Sequence, residues 1–247
     1  MLFGVKIGNS TLSIAKFSSP IERDFELIFN SSIEGLRIES LKKLLLGEED
    51  VVVCSVVPSL TEEFVRVFKD SFKHILIIDH KLRTDLSFLI ENPEKFGADR
   101  LTCSVAAHEL FGGDIALVDA GTATTITIVT EKGEIHGGAI LPGLQTMNTS
   151  LNKNTALLPL ISLDEPISLP GKNTDTAIRV GIVLGTCYAI EGIIKEIENT
   201  MNTSLKVILT GGNVGLITKY LKIPHKVEPY LVFEGMRLIY LKNIKFI

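Results

Sequence analysis

An α/β chain of two related lobes with a cleft between them is predicted here by three observations. A hairpin pattern occurs twice: Phe3–Phe17 reads FGVKIGNSTLSIAKF and Ala116–Thr130 reads ALVDAGTATTITIVT. In each copy an apolar strand ends in a charged residue, one spacer and a glycine, then a small polar turn and a Thr/Ile-rich returning strand. Gly8 matches Gly121 and Lys6 matches Asp119. Such self-similarity marks a repeated structural unit. Secondly, β-branched apolar runs such as Val51–Val57 alternate with segments of helical spacing. Thirdly, 45% apolar and 22% charged residues over 247 positions suit a globular chain with a sizeable core. The boundary between lobes is read near Gly113, giving segments 1–113 and 114–247.

Each element follows from local pattern. Leu2–Ile7 and Thr11–Phe17 read as strands joined by a tight Gly-Asn turn, with a third strand at Phe25–Phe29. Leu36–Leu46 has helical spacing and stops at Gly47. Val51–Val57 reads as a strand buried on both faces, ended by Pro58, and Leu60–Phe72 as a helix. Ile75–Ile78 is a short strand, and Ala98–Phe111 a helix closed by Gly112-Gly113. The pattern then restarts with strands at Ile115–Asp119, Thr124–Val129 and Ile135–Ile140. A long helix covers Thr174–Thr200, in which Gly181 and Gly185 share a face and predict close packing against another backbone. A strand at Lys206–Leu209 runs into Thr210-Gly211-Gly212, and helices at Val214–Leu221 and Leu231–Asn243 follow.

Composition narrows the function classes. Lys plus Arg is 25 against 29 for Asp plus Glu, a net charge of −4, and no basic stripe is visible, so nucleic acid is not an expected partner. No apolar run reaches the roughly 18–20 residues of a membrane helix, and no membrane partner is expected. The apolar N-terminus reads as a strand rather than a signal peptide. Cys54, Cys103 and Cys187 are odd in number and far apart, which fits buried thiols in a reducing cytoplasm. The five histidines form no metal-binding spacing.

Two turns carry candidate chemistry. A phosphate needs converging donors, which backbone N–H groups at a glycine turn and nearby hydroxyls supply. Gly8-Asn9-Ser10-Thr11 and Gly121-Thr122-Ala123-Thr124-Thr125 both have that make-up, and Thr210-Gly211-Gly212 adds a third turn. Together they point to a nucleotide. Asp99, in Gly97-Ala98-Asp99-Arg100, stands at a predicted helix start, where it caps the helix or takes a proton from an attacking hydroxyl. Arg100 offers a fork of donors suited to a carboxylate or phosphate.

Along nearly its whole length the chain resembles the type III pantothenate kinase family. The matching segments, in order, are IGNS at Ile7–Ser10, SVVPSL at Ser55–Leu60, NPEKFGADR at Asn92–Arg100 and VDAGTATT at Val118–Thr125. GGAILPG at Gly137–Gly143, GKNT at Gly171–Thr174 and LTGG at Leu209–Gly212 follow. The resemblance implies an actin-like fold, with two duplicated ribonuclease-H-like lobes and a cleft between them. It implies ATP-dependent phosphorylation of the primary hydroxyl of pantothenate, the first step toward coenzyme A, by a cytoplasmic homodimer. Asp99 is then the general base, and Gly97, Ala98 and Arg100 hold pantothenate with it. Thr174 contacts pantothenate across the dimer interface, and Ile90 stands near that pocket. The stretch Lys6, Ile7, Gly8, Asn9, Ser10, Thr11, Leu12 and Ser13 is the first ATP-binding hairpin. Thr122 is a further ATP contact, with Gly211 and Gly212 at the third turn. Asp119 binds a monovalent cation, potassium or ammonium, and magnesium accompanies ATP.

The chain departs from that pattern at two positions. The family's first hairpin opens on an aspartate where this chain has Lys6, and an ammonium has donors but no lone pair for a cation. Three roles stay open for Lys6: direct contact with ATP phosphates, pairing with Asp119 in a member that binds without turnover, or tolerance with a repositioned magnesium. Ile90 stands where the family often has an aromatic residue, which leaves room for another small alcohol as acceptor.

Overall fold

The computed structural model describes residues 1–45 and 49–244. Chain contacts divide it into two units. Unit 1 begins with β1 (Leu2–Ile7), β2 (Thr11–Phe17) and β3 (Phe25–Ser32). A 3₁₀ turn at Ile38–Lys43 leads to β4 (Asp50–Ser55), α1 (Pro58–Phe68), β5 (His74–Ile77), the short β6 (Ser87–Phe88) and α2 (Ala98–Phe111). Unit 2 spans Gly112–Pro229. It contains β7 (Ile115–Ala120), β8 (Ala123–Val129), β9 (Glu134–Pro142), α3 (Leu144–Asn154), α4 (Thr174–Arg179) and α5 (Gly185–Met201). β10 (Lys206–Thr210), α6 (Val214–Ile217) and β11 (His225–Val227) complete it, and α7 (Leu231–Asn243) returns to unit 1.

The duplicated hairpin is the opening of a duplicated sheet. In unit 1 the strand order is β3-β2-β1-β4-β5; in unit 2 β11-β10-β7-β8-β9 follows the same plan. In each unit the first three strands form an antiparallel meander, and two later strands join parallel to the first. In unit 1, alternation sends Phe3, Val5 and Ile7 of β1 with Val51 and Val53 of β4 toward Phe64 and Phe68 of α1. Each such fully buried side chain contributes about 1.5–3 kcal/mol. The opposite face carries Leu2, Gly4 and Lys6 and is covered by α2 and α7: Met236 and Phe233 sit at Gly4, and Thr102 at Cys54. In unit 2, Ala116, Val118, Ala120, Ile126 and Ile128 pack against Ile178, Ile182, Val183, Cys187, Ile190 and Ile194.

Several readings are corrected. The segment from Tyr230, assigned by the repeat to the second lobe (114–247), groups by contact with unit 1. Arg237 donates to the carbonyls of Pro20 and Ile21, and Tyr240 to Asp50. The helix read over Leu36–Leu46 is a 3₁₀ turn over Ile38–Lys43, and its predicted end at Leu46 and Gly47 lies outside the described residues. α3 and β11 were not read at all. The long helix runs Thr174–Met201 through a π-helical turn at Val180–Leu184. Among the described residues Gly181 and Gly185 do not pack on another backbone: none of them lies within 4 Å of a Cβ placed at either. Over its most apolar 18-residue window the mean hydropathy is 1.6, and this 28-residue helix is long and apolar enough to cross a membrane by length and composition alone. Arg179 and Glu191 interrupt its apolar residues, and its apolar stripe lines the unit 2 core. The three cysteines are buried free thiols, and burial pushes the Cys187 thiol up to about 11, with Glu191 adding to the shift.

Candidate functional site

The candidate residues fall into two groups, one on each unit. In unit 1 the turn between β1 and β2 closes through Gly8 N–H donating to the Thr11 carbonyl at 2.9 Å. The turn is tethered on both sides: Ile33 N–H donates to the Ser10 carbonyl, and Val56 N–H to the Ile7 carbonyl, each at 3.1 Å. Asn9, Ser10 and Thr11 are exposed. Ile7 and Leu12 turn their side chains into the apolar core, so the chain offers a ligand only their backbone.

Below that turn, strand register lines up a polar rung. Lys6 lies opposite Ser13 of β2 and opposite Cys54 of β4, and Ser13 lies opposite Asn30 of β3. Directly paired residues point to the same face of a sheet. Ser13 Oγ donates to Asn30 Oδ1 at 2.9 Å, and Thr102 Oγ1 of α2 lies 3.4 Å from Cys54 Sγ. Thr102 follows Asp99 by three residues, which is one turn along the same helix face. Register and helix spacing therefore bring the Lys6 rung and the Asp99 turn to one face of unit 1.

Asp99 sits in the first turn of α2, half-buried, and its Oδ1 accepts the Arg100 N–H at 2.7 Å. An ionised carboxylate has about four acceptor sites, so capacity remains for a substrate hydroxyl. The helix N-terminus favours its negative charge. The Arg100 guanidinium stacks over Phe96 at 4.5 Å from the ring centre, and Phe96 meets Phe88 edge-on at 5.6 Å. Burial lowers the Arg100 pKa, opposed by the charge of Asp99. Ile90 is half-buried, two residues before Asn92, the residue that precedes a 3₁₀ turn at Pro93–Lys95.

In unit 2, three motifs distant in sequence converge on the second hairpin. Gly121 N–H donates to the Ala123 carbonyl at 3.0 Å. The Thr122 carbonyl accepts from Gly143 N–H at 3.0 Å and from Thr146 Oγ1 at 2.7 Å. Asn213 binds from the other side, its N–H to the Ala120 carbonyl at 2.9 Å and its Nδ2 to the Gly121 carbonyl at 3.2 Å. Gly211 has φ +98°, and a Cβ there would lie 2.3 Å from Asp119 Oδ1, so only glycine fits. Gly212 follows it, exposed. Asp119 is half-buried and stands in register between Thr125 and Thr210. The side chains that register sets beside Asp119, Thr125 and Thr210, offer oxygen atoms. Thr174 is elsewhere in the unit, exposed at the first position of α4, where Asn173 and Thr176 form a reciprocal cap.

Magnesium fits less well. The unit 1 rung holds an ammonium, hydroxyls, an amide and a thiol, and no carboxylate. Among the described residues no group of three or more His, Cys, Asp or Glu could hold a metal. Sequence reading missed Asn30, Cys54 and Thr102 on the rung, and Gly143, Thr146 and Asn213 around the second hairpin. Gly143 and Asn213 adjoin or lie within matched motifs, which was a usable signal; the others carried none.

A family model for type III pantothenate kinases matches residues 2–196. A type III pantothenate kinase of Moorella thermoacetica is 39% identical over 196 residues, covering 79% of this chain and 77% of that protein. One from Persephonella marina is 36% identical, covering 97% and 98%. Among solved structures, a Baf-family protein from Campylobacter jejuni superposes with a TM-score of 0.63 at 21% identity, covering 98% of this chain and 99% of its own. That likeness is one of fold, the actin-like α/β fold.

Proposed function

Because the chain belongs to the type III pantothenate kinase family, we propose that it transfers the γ-phosphoryl group of ATP to the primary hydroxyl of pantothenate. The product is 4′-phosphopantothenate, the first intermediate on the way to coenzyme A. The observation that carries this reading is the shared face of unit 1, where the candidate base Asp99 stands one helical turn from Thr102 at the Lys6 rung. In the reaction the hydroxyl oxygen of pantothenate bonds to the γ-phosphorus as the bond to the β,γ-bridging oxygen breaks, and ADP leaves. Asp99 takes the hydroxyl proton. Arg100, Gly97 and Ala98 orient the acceptor. The Gly8–Thr11 turn offers backbone donors and the Asn9, Ser10 and Thr11 side chains to the phosphates, with the second hairpin at Thr122 and the turn at Gly211-Gly212 as further ATP contacts.

A potassium or ammonium ion suits the oxygen set at Asp119. Magnesium would enter with ATP, on the phosphates themselves, since the unit 1 rung offers it no carboxylate. A homodimer with Thr174 reaching the partner's pantothenate fits the exposed apolar residues of unit 2, Leu157 at 90%, Ile140 at 66% and Leu169 at 64%. Cytoplasmic location, without nucleic acid or membrane as partner, fits the net charge of −4 and the free thiols.

Purified protein given ATP, magnesium, potassium and pantothenate is expected to form 4′-phosphopantothenate, read by mass spectrometry. No product over a wide range of ATP would overturn the reading. Lys6 favours a second reading, a family member that binds ligand without turnover. Under it Lys6→Asp raises activity from near zero; an active wild type little changed by that substitution removes it.

A further inference from the structure

We propose that the Lys6 ammonium binds the nucleotide phosphates directly, so that this protein takes up metal-free ATP about as well as its magnesium complex. The proposal rests on the nucleotide-binding reading of the first hairpin. Asn30, Ser13, Lys6 and Cys54 stand side by side across β3, β2, β1 and β4, on the face covered by α2 and α7. Ser13 and Asn30 are bonded to each other, and Thr102 stands over Cys54. The one ionic group of this rung is a cation.

A divalent ion asks for oxygen lone pairs, best on a carboxylate. The Lys6 ammonium has three donors and no lone pair, and it repels such an ion. A phosphate asks for the reverse, positive charge and donors together. The rung supplies the charge, and the turn directly above it, closed by Gly8 N–H on the Thr11 carbonyl, presents the exposed Asn9, Ser10 and Thr11 as further donors. Lysine suits this place better than arginine, since a point charge on a flexible stem follows tetrahedral oxygens without needing a planar partner. Lys6 is half-buried, so its field is screened less than that of a surface lysine. The charge neutralisation that a metal brings is thus built into β1.

The test is calorimetric titration of the full chain with ATP, once in EDTA and once in excess magnesium. The two dissociation constants are expected to agree within about threefold. Lys6→Gln is expected to weaken metal-free ATP by about tenfold or more, the loss of a charge-assisted contact. Lys6→Asp is expected to make binding depend on magnesium. Wild type that binds metal-free ATP about tenfold or more weaker than the magnesium complex overturns the proposal alone, as does Lys6→Gln that keeps its metal-free affinity. Absence of binding in both buffers overturns the nucleotide reading and this proposal with it. A thermal melt shows whether each variant is folded, and the wild-type pair of titrations decides the matter without any variant.

Discussion

Asp99 and Lys6 lie one helical turn and one strand apart, yet they differ in how far local sequence discloses them. Asp99 stands out as a candidate because its signals are local: a helix start, an adjoining arginine and a glycine two residues earlier. Replacing it by asparagine keeps the shape and removes the proposed proton acceptor. Asp99→Asn is therefore expected to lower kcat by about 10²–10⁴-fold, with ATP affinity within about twofold of wild type. Steady-state kinetics beside a nucleotide titration would check both halves. The rung around Lys6 was not readable, because its members come from four strands and a helix, joined only by register. Nothing near Asn30 or Thr102 in the chain signals that they share a face with Lys6. Gly211 is an intermediate case: the glycine pair was visible, but the reason for it, the Asp119 carboxylate against its α-carbon, needed β7 and β10 side by side.

Elements were legible where pattern and packing agreed. Ala98–Phe111 and Leu231–Asn243 fold over the residues their spacing indicates. α3 escaped notice because LQTMNTSLNKN is rich in Asn and Thr, which favour turns and caps over helix interiors. Tertiary bonds overrule that preference. Asn148 is fully buried, its Nδ2 donating to the Ile161 carbonyl at 2.8 Å and its Oδ1 accepting the Ile161 N–H at 3.3 Å. One amide thus ties α3 to the segment that leads toward Thr174. Asn148→Leu leaves both backbone groups of Ile161 without a partner and is expected to destabilise the chain by about 3 kcal/mol in urea unfolding. A loss below about 1 kcal/mol would mean that Ile161 finds water instead. The glycines of the long helix teach a related lesson. Their shared face was legible, but the partner it predicted is absent from this chain among the described residues.

The two units were foreshadowed by the repeated hairpin, which reappears as two sheets of one plan. The return of α7 to unit 1 was not, because a repeat says nothing about which unit claims a helix that follows it. α7 crosses α2 so closely that a Cβ at Gly235 would lie 2.0 Å from the Thr102 carbonyl oxygen. Glu234 and Arg237 are a buried bidentate pair, and Tyr240 donates to Asp50 Oδ2 at 2.5 Å, with His74 Nδ1 at 2.9 Å on the other carboxylate oxygen. Burial, then the bond to Asp50 and its charge, raise the Tyr240 pKa above the ordinary phenol value. The folded state therefore prefers the neutral phenol. The stability this gives is complete below about pH 10, the ordinary tyrosine value, and is lost as pH rises beyond it. Tyr240→Phe is expected to be about 1 kcal/mol less stable at neutral pH but to lose less on going to alkaline pH, as thermal melts would register. The same arrangement governs how the chain is born. Unit 2 is one unbroken stretch and can close as it leaves the ribosome, whereas α2 waits uncovered for about ten seconds of synthesis until α7 emerges. A nascent chain that has released Pro229 from the ribosome but not yet α7 would carry a finished second unit and an unfinished first one, a natural client for chaperones.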